Sequence, residues 1–405
     1  MPLNAREQAV CAWIAARHQA MVDELAAWVA IPTGRGFAPG LHRQRSMLAA
    51  RLRGLGAVTH DAPCAARPEW LEPGDGGGAA GGAAPEDRVD VLVGHHAAGA
   101  GPRILLSGHF DTVHDPHGAF RELKDAGNGR ATGPGCADMK GGLVVALTAL
   151  EALRAAGIAF PWSFVLTPDE ETGSFGSAAE LARLAGQHDV GFVFEPAGEG
   201  GTLITERMGA GQFRIDAFGR TAHAGRDYAK GVSAVRALCR AVLDAEAAGD
   251  GTARIVNVGP LQGGALTNAV PDHAAAWGNV RFAAPADEAS LAAALDALDR
   301  GAEGEVPRVR VRRAFNRPAK PCTDAVRALA GRVAEASRDL GRELPFGRTG
   351  GVCDGNLLQA AGLPCVDTLG VRGGNLHRED EFVEIASLVE RAQLAAVVLL
   401  RTAGA

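Results

Sequence analysis

The sequence predicts an α/β protein: a central mixed sheet flanked by helices, interrupted by an inserted ferredoxin-like α+β unit. Three observations predict it. Short apolar runs bounded by turn residues, VDVLVG (89–94), RILLSG (103–108), WSFVLTP (162–168) and VGFVFEP (190–196), alternate with helical stretches at 139–155 and 177–184. Such runs read as strands of a largely buried sheet. From about 209 to 315 the pattern becomes strand, helix, strand, strand, helix, strand, the ferredoxin-like βαββαβ order. Beyond it a helix at 324–340, the strand PCVDTLG and a helix at 385–401 resume the first pattern. The expected division is a discontinuous domain, 1–208 and 316–405, with a second domain, 209–315, inserted into it.

Each element has a local reason. Val10, Ile14, Met21, Leu25 and Val29 fall near helical spacing, which predicts one amphipathic helix from Arg6 to Ala30, ended by Ile31-Pro32. A second helix is expected over 41–55. PGDGGGAAGGAAP (73–85) has no apolar face to repay its ordering entropy and reads as a flexible surface insertion. Within the inserted unit the expected elements are GQFRIDAFG, helix 231–248, ARIVNVGPL, AAAWGNVRF, helix 287–300 and RVRVRRAF. Leu388, Ala392, Ala395 and Leu399 give the last helix its inward stripe.

Composition narrows the function. The 405 residues suffice for two or three domains, and 41 Lys and Arg against 47 Asp and Glu give a net charge of −6. No basic excess stands ready for a phosphate backbone, so nucleic-acid binding is set aside. No apolar run approaches the ~18–20 residues of a membrane span, and residues 1–30 lack a signal-peptide pattern. The expected compartment is the cytoplasm, and the seven scattered cysteines are expected to be reduced and structural.

The chemistry-bearing residues gather at predicted strand ends, where open α/β sheets build their sites. SGHFDTV sets His109 and Asp111 two apart, on one face of extended chain, where the aspartate can take the second N–H of a metal-bound imidazole. GPGCADMKGG sets Asp138 at a glycine-rich turn opening a helix; it reads as an N-cap or as a carboxylate between two metal ions. TPDEETGS carries Asp169, Glu170 and Glu171, like charges that a cation would compensate. Adjacent glutamates can divide the labour, one ligating metal and the other acting as base. FEP supplies Glu195, and GVRGGNLHRED supplies His377. Each alone has a structural reading as a turn or cap residue; five strand ends carrying His, Asp, Glu, Glu and His do not. His114 and His117, in HDPH, read as solvated loop residues, and Lys140 as structural. Mixed N and O ligation without thiolate favours two zinc ions, with cobalt or manganese tolerable.

The order SGHFDTV, GPGCADMKGG, TPDEETGS, FEP, GRTAHAG and the late His377 resembles the M20 family of zinc metallopeptidases and amidohydrolases, in its glutamate carboxypeptidase branch, over about residues 10 to 400. The resemblance implies a zinc-peptidase catalytic domain with an inserted dimerisation or lid domain. It implies that His109, Asp138, Glu171, Glu195 and His377 ligate two zinc ions with Asp138 bridging, that Asp111 orients His109, and that Glu170 is the general base. It further implies a cis Asp138-Met139 peptide bond; Met139 itself departs from residues common there in the family. His223 matches a histidine that reaches the partner subunit's site and stabilises the oxyanion. Asn268 and Arg281 look like the family's substrate-binding pair, and Arg317 is a weaker candidate for the same carboxylate. TGGVCDGN (349–356) resembles a loop near the substrate, with Cys353 read as packing.

The expected protein is thus a homodimeric, cytoplasmic two-zinc hydrolase of an N-acyl amino acid or small peptide with a free carboxylate. The alternative within the family is a deacetylase or desuccinylase of the acetylornithine or succinyl-diaminopimelate kind. Outside enzymes, it is an inactive amino-acid-binding relative. A nicotinamide-dependent dehydrogenase is disfavoured, because no G-x-G-x-x-G joins a first strand to a helix.

Overall fold

Three apolar strands, Ile104–His109, Trp162–Thr167 and Val190–Val193, form the middle of the molecule, and every residue in them is buried. Strands buried on both faces cannot alternate polar and apolar residues, which is why they read as continuous runs. The computed structural model describes residues 2–34, 36–71 and 88–404; the glycine-rich stretch at 73–85 lies outside them. The central sheet runs Val58–Ala62, Val91–His96, Trp162–Thr167, Ile104–His109, Val190–Val193, Cys365–Val366. It is mixed: the last four strands are parallel, while Val91–His96 pairs antiparallel with both its neighbours. The helix Lys140–Ala155 is apolar around most of its circumference, packs on Ala386–Ala403, and is buried within one core with the N-terminal helices.

The expected N-terminal helix is two helices, Ala5–Ala15 and His18–Val29. Arg17, at φ −106° and ψ 10°, leaves the helical path, and its guanidinium stacks 3.8 Å from the Trp13 ring. No proline or glycine marks that break, so periodicity ran through it. The strand expected in PCVDTLG shrinks to Cys365–Val366, because Asp367 turns away to pair with Arg207 and Lys320 and Thr368 adopts φ 63°.

The segment from Gly209 to Arg317 forms its own four-stranded antiparallel sheet, in the order Arg254–Gly263, His273–Phe282, Gly209–Phe218, Arg308–Arg317. The helices Ala234–Glu246 and Pro285–Asp296 pack on it around a separate core of Phe213, Ile215, Leu238 and Leu291. This is the expected βαββαβ connectivity.

A second small sheet, missed from sequence, matters for the site. Lys124–Gly127 and Arg130–Thr132 form a hairpin, and Phe382–Glu384 adds to its edge with Gly373–Gly374 beyond. Its short strands, buried only at Ala131 and Val383, carry little hydrophobic signal, yet they bring residues just after His377 beside the segment leading to Asp138.

Candidate metal centre

His109 is the last residue of Ile104–His109, and Glu195 lies two residues beyond Val190–Val193. Glu170 and Glu171 open a short 3-10 turn after Trp162–Thr167, and Asp138 sits two residues ahead of Lys140–Ala155. His377 lies in the turn between Gly373–Gly374 and Phe382–Glu384. The carboxyl ends of three parallel strands thus meet two loop residues, Asp138 and His377, in one place.

The side chains meet in two couples around Asp138. His109 Nε2 lies 3.2 Å from Asp138 Oδ1 and 3.8 Å from Glu195 Oε1. His377 Nε2 lies 3.5 Å from the other oxygen, Oδ2, and 3.2 Å from Glu171 Oε2. Asp111 holds the outer side: His109 Nδ1 is 3.1 Å from its carbonyl and 3.3 Å from Oδ1. That contact assigns the ring proton to Nδ1 and leaves Nε2 as the ligand atom. The Asp111 carboxylate also accepts the backbone N–H groups of Glu170 (3.2 Å) and Glu171 (3.0 Å), so one residue orients both the imidazole and the glutamate turn. The Asp138-Met139 peptide bond is cis.

Electrostatics show what this group of side chains lacks. Burial and the neighbouring Asp138 charge push Glu171 up to about 8, and burial pushes Glu195 well above the carboxylate range. Burial opposes ionisation of Asp138, but hydrogen bonds from the two imidazoles outweigh it and hold this carboxyl far below its ordinary value. Bonds to Asp138 and Glu171 raise His377 to about 10. Glu171 Oε1 is buried without a hydrogen-bond partner among the described residues. One ligand atom each of His109, Asp138 and Glu171 lies within 4.8 Å of the others. Three crowded carboxylates with two imidazoles, one oxygen orphaned, are the donor set a pair of hard-to-borderline dications would satisfy.

Beside these donors a cavity of about 340 Å³ has Glu170, Glu171 and His377 on one wall and Gln212, Asn279 and Arg281 of the inserted sheet on the other. Arg281 Nη1 is buried without a partner among the described residues, and burial together with Arg317 makes its charge less favourable than usual. Arg317 lines the same cavity but is almost fully buried. Its Nη1 lies 2.8 Å from Glu170 Oε1, and its Nη2 donates to Ser174 Oγ (2.7 Å) and to the Glu170 carbonyl (3.0 Å). Asp354 closes this network, accepting from Ser174 and Thr167 and standing 3.6 Å from Arg317 Nη2. A larger groove, about 770 Å³, lies on the inserted unit around Leu266, His273 and Trp277 and includes none of the donors above.

His223 and Asn268 lie beside each other but do not line the cavity. Ala224 N–H donates to the Asn268 carbonyl at 2.9 Å, and the exposed His223 ring accepts from Gly225 N–H. His117 is exposed, as read, but His114 is not a solvated loop residue. Its Nε2 lies 2.6 Å from Glu381, a fully buried carboxylate, so the ring is drawn inward. Lys140 is structural in a specific way: buried, pushed down to about 7 by desolvation, it donates to the carbonyls of Trp28 and Ile31 at the end of His18–Val29. Cys353 is buried with its thiol pushed up by desolvation, consistent with packing, and all seven cysteines are unpaired. Sequence reasoning missed Asp354, Asn279 and Glu381. Asp354 lay inside the quoted TGGVCDGN, but its partners are some 180 residues away in sequence.

An α/β sheet whose parallel strand ends supply His109, Glu171 and Glu195, joined by Asp138 and His377 from adjoining loops beside a cleft under a ferredoxin-like unit, defines a metallohydrolase-type site. Residues 105–401 match the family model described as peptidase family M20/M25/M40, and the chain belongs to that family of hydrolases. It is 27% identical over 390 residues to carboxypeptidase G2 of Pseudomonas sp. (strain RS-16), covering 94% of this chain and 89% of that protein. It is 31% identical over 314 residues to a succinyl-diaminopimelate desuccinylase of Methylobacterium radiotolerans, covering 71% and 78%. A crystal structure of a tripeptidase from Staphylococcus aureus superposes with a TM-score of 0.75 at 22% identity, covering 96% of this chain and 99% of that one. No helix among the described residues is long and apolar enough to cross a membrane.

Proposed function

We propose that this chain is a two-metal amide hydrolase releasing an amino acid with a free carboxylate from an N-acyl amino acid or small peptide, in the manner of a glutamate carboxypeptidase. The observation that carries the reading is the pairing around Asp138, each of whose oxygens faces a different histidine–glutamate couple. His109, Glu195 and Asp138 would hold one ion, and His377, Glu171 and Asp138 the other. Zinc suits this N and O set, with cobalt or manganese as substitutes. Bound there, the ions would supply Lewis-acid polarisation of the amide carbonyl and a more acidic water.

The chain's own residues do the rest. Glu170, fixed through Oε1 by Arg317, removes a proton from the attacking water as its oxygen bonds to the amide carbon. As the C–N bond breaks, Glu170 returns that proton to the leaving nitrogen. Arg281, whose Nη1 has no partner among the described residues, offers its guanidinium to the substrate carboxylate, which accepts parallel charge-assisted hydrogen bonds. His223 and Asn268, which do not line the cavity of their own chain, act on the site of a partner subunit in a homodimer; His223 donates to the developing oxyanion. The dimer works in the cytoplasm.

Glu170→Gln tests this reading. The variant should bind zinc as the wild type does and lose at least ~10²-fold in kcat, the contribution typical of general acid–base catalysis. Normal turnover with metal retained would remove Glu170 from the mechanism. The second reading, a desuccinylase, is favoured by the Methylobacterium relative. Amine release from N-acyl amino acids, dipeptides and N-succinyl diamino acids separates the two.

A further inference from the structure

Glu381 takes no part in the chemistry above, yet its carboxylate is fully buried and accepts four hydrogen bonds. Oε1 takes the backbone N–H groups of Ala137 (2.8 Å) and Asp138 (3.0 Å). Oε2 takes the N–H of Gly135 (3.0 Å) and Nε2 of His114 (2.6 Å). Its carbonyl accepts from Gly133 N–H at 3.2 Å. His114 lies three residues beyond Asp111, and Glu381 four beyond His377. One side chain therefore ties together the three loops that carry His109 with Asp111, Asp138, and His377.

The two histidines differ in how they are held. His109 is 1% exposed, ends a central strand, and has its second ring nitrogen on Asp111. The His377 side chain is 54% exposed, and its backbone sits at φ 66° in a turn. Among the described residues no protein group hydrogen-bonds its Nδ1. The orientation of His377 therefore falls to its loop, whose other end is anchored by Glu381 and by the pairing of Phe382 with Thr132.

We propose that Glu381 is a positioning residue that sets the distance between Asp138 and His377, and so the integrity of the His377–Glu171 side of the metal centre. The proposal rests on the two-metal reading of the site. Replacing Glu381 by glutamine keeps the size and one acceptor oxygen. It also turns an amide NH₂ toward either the Gly135 and His114 side or the Ala137 and Asp138 N–H groups, so at least one backbone N–H loses its acceptor whichever way it flips, the His114 ring being able to switch tautomer. Outer partners of metal ligands typically govern 10–100-fold in metal affinity.

The test is zinc binding to the metal-depleted full-length protein, followed by competition with a chromophoric chelator, with circular dichroism confirming the fold. Wild type should take two zinc ions. Glu381→Gln should take one with unchanged affinity and the second about 10–100-fold more weakly. Unchanged binding of both ions, or equal weakening of both, would overturn the proposal. The second outcome would mark a general loosening of the structure. If Glu381→Gln does not fold, His114→Ala removes a single donor and should weaken the same ion by a smaller factor, while His114→Gln, which keeps a donor, restores it. Equal binding by all three proteins overturns the clamp. A wild type that binds no zinc overturns the two-metal reading itself, which separates the two failures.

Discussion

Arg317→Met removes the cation standing between Glu170 and Asp354. The guanidinium is 2% exposed, 2.8 Å from Glu170 Oε1 and 3.6 Å from Asp354 Oδ1. At an effective dielectric of about 20, the gross attractions are about 6 and about 5 kcal/mol. Much of that offsets the desolvation of three charges. Deleting one partner leaves two buried carboxylates uncompensated, and such a deletion costs about 3–5 kcal/mol. The pH dependence has a definite sign. Burial pushes Asp354 up, and Arg317 pulls it back down. Without Arg317 it rises further. A carboxyl whose folded pKa exceeds its unfolded value contributes stability at low pH, and that contribution is lost as pH rises through the folded pKa. The destabilisation by Arg317→Met should therefore be smaller in mildly acidic solution and grow as pH rises. Urea denaturation of metal-free protein across that range measures it. Steady-state kinetics add a second discrimination. If Arg317 holds Glu170, kcat falls with KM little changed; if it grips the substrate carboxylate, KM rises. A pH-independent loss below about 1 kcal/mol, together with a rise confined to KM, would refute the reasoning.

Two further predictions concern the centre itself and the subunit arrangement. In metal-free protein, Glu171 at about 8 and His377 at about 10 both take up protons on folding, as does His109, raised well above its ordinary value. Stability should therefore fall steadily between about pH 5 and pH 9, whereas zinc should flatten that slope by replacing the protons; an apo protein whose urea midpoint rises over this range contradicts the assignment. Mixing inactive Glu170→Gln and His223→Ala chains should regain part of the activity, because a heterodimer holds one site with both residues intact; verified heterodimers without recovered turnover would show that His223 serves its own chain.

Much of the fold is legible because burial on both faces writes itself into composition. RILLSG, WSFVLTP and VGFVFEP have nothing polar to spare, and the structure makes all three central strands. The elements that escaped have the opposite character. Val58–Ala62 is an exposed edge strand reading VTHDA; Phe382–Glu384 owes its pairing to Arg130–Thr132, far along the chain, and Gly373–Gly374 pairs in turn with Phe382–Glu384. Propensity carries no information about a three-residue strand that exists because a hairpin some 250 residues away offers it an edge. The break at Arg17 is similar, since its local stacking on Trp13 leaves the apolar spacing intact.

Asp138 and His377 stand in glycine-rich turns, while His109, Glu171 and Glu195 were legible for the same reason as the strands they follow: position after a buried run is a local property. What each polar residue pairs with is not. An arginine in AFNRPAK suits any carboxylate, and only the burial of Arg317 and its 2.8 Å approach to Glu170 decide between a substrate's carboxylate and the protein's own. His114 followed a strand end in a polar stretch and read as solvated, because its partner, Glu381, stands 267 residues later within a charged RED-E run that itself looks solvated. Two residues that each resemble surface are mutually buried only when both loops are in place. Buried polar pairs of this kind are costly unless fully satisfied, and here they concentrate where loops must be held around a charged centre. A long-range pair between two unremarkable polar residues, both drawn out of solvent beside strand-end donors, is therefore the feature that sequence pattern hides and that structure makes informative.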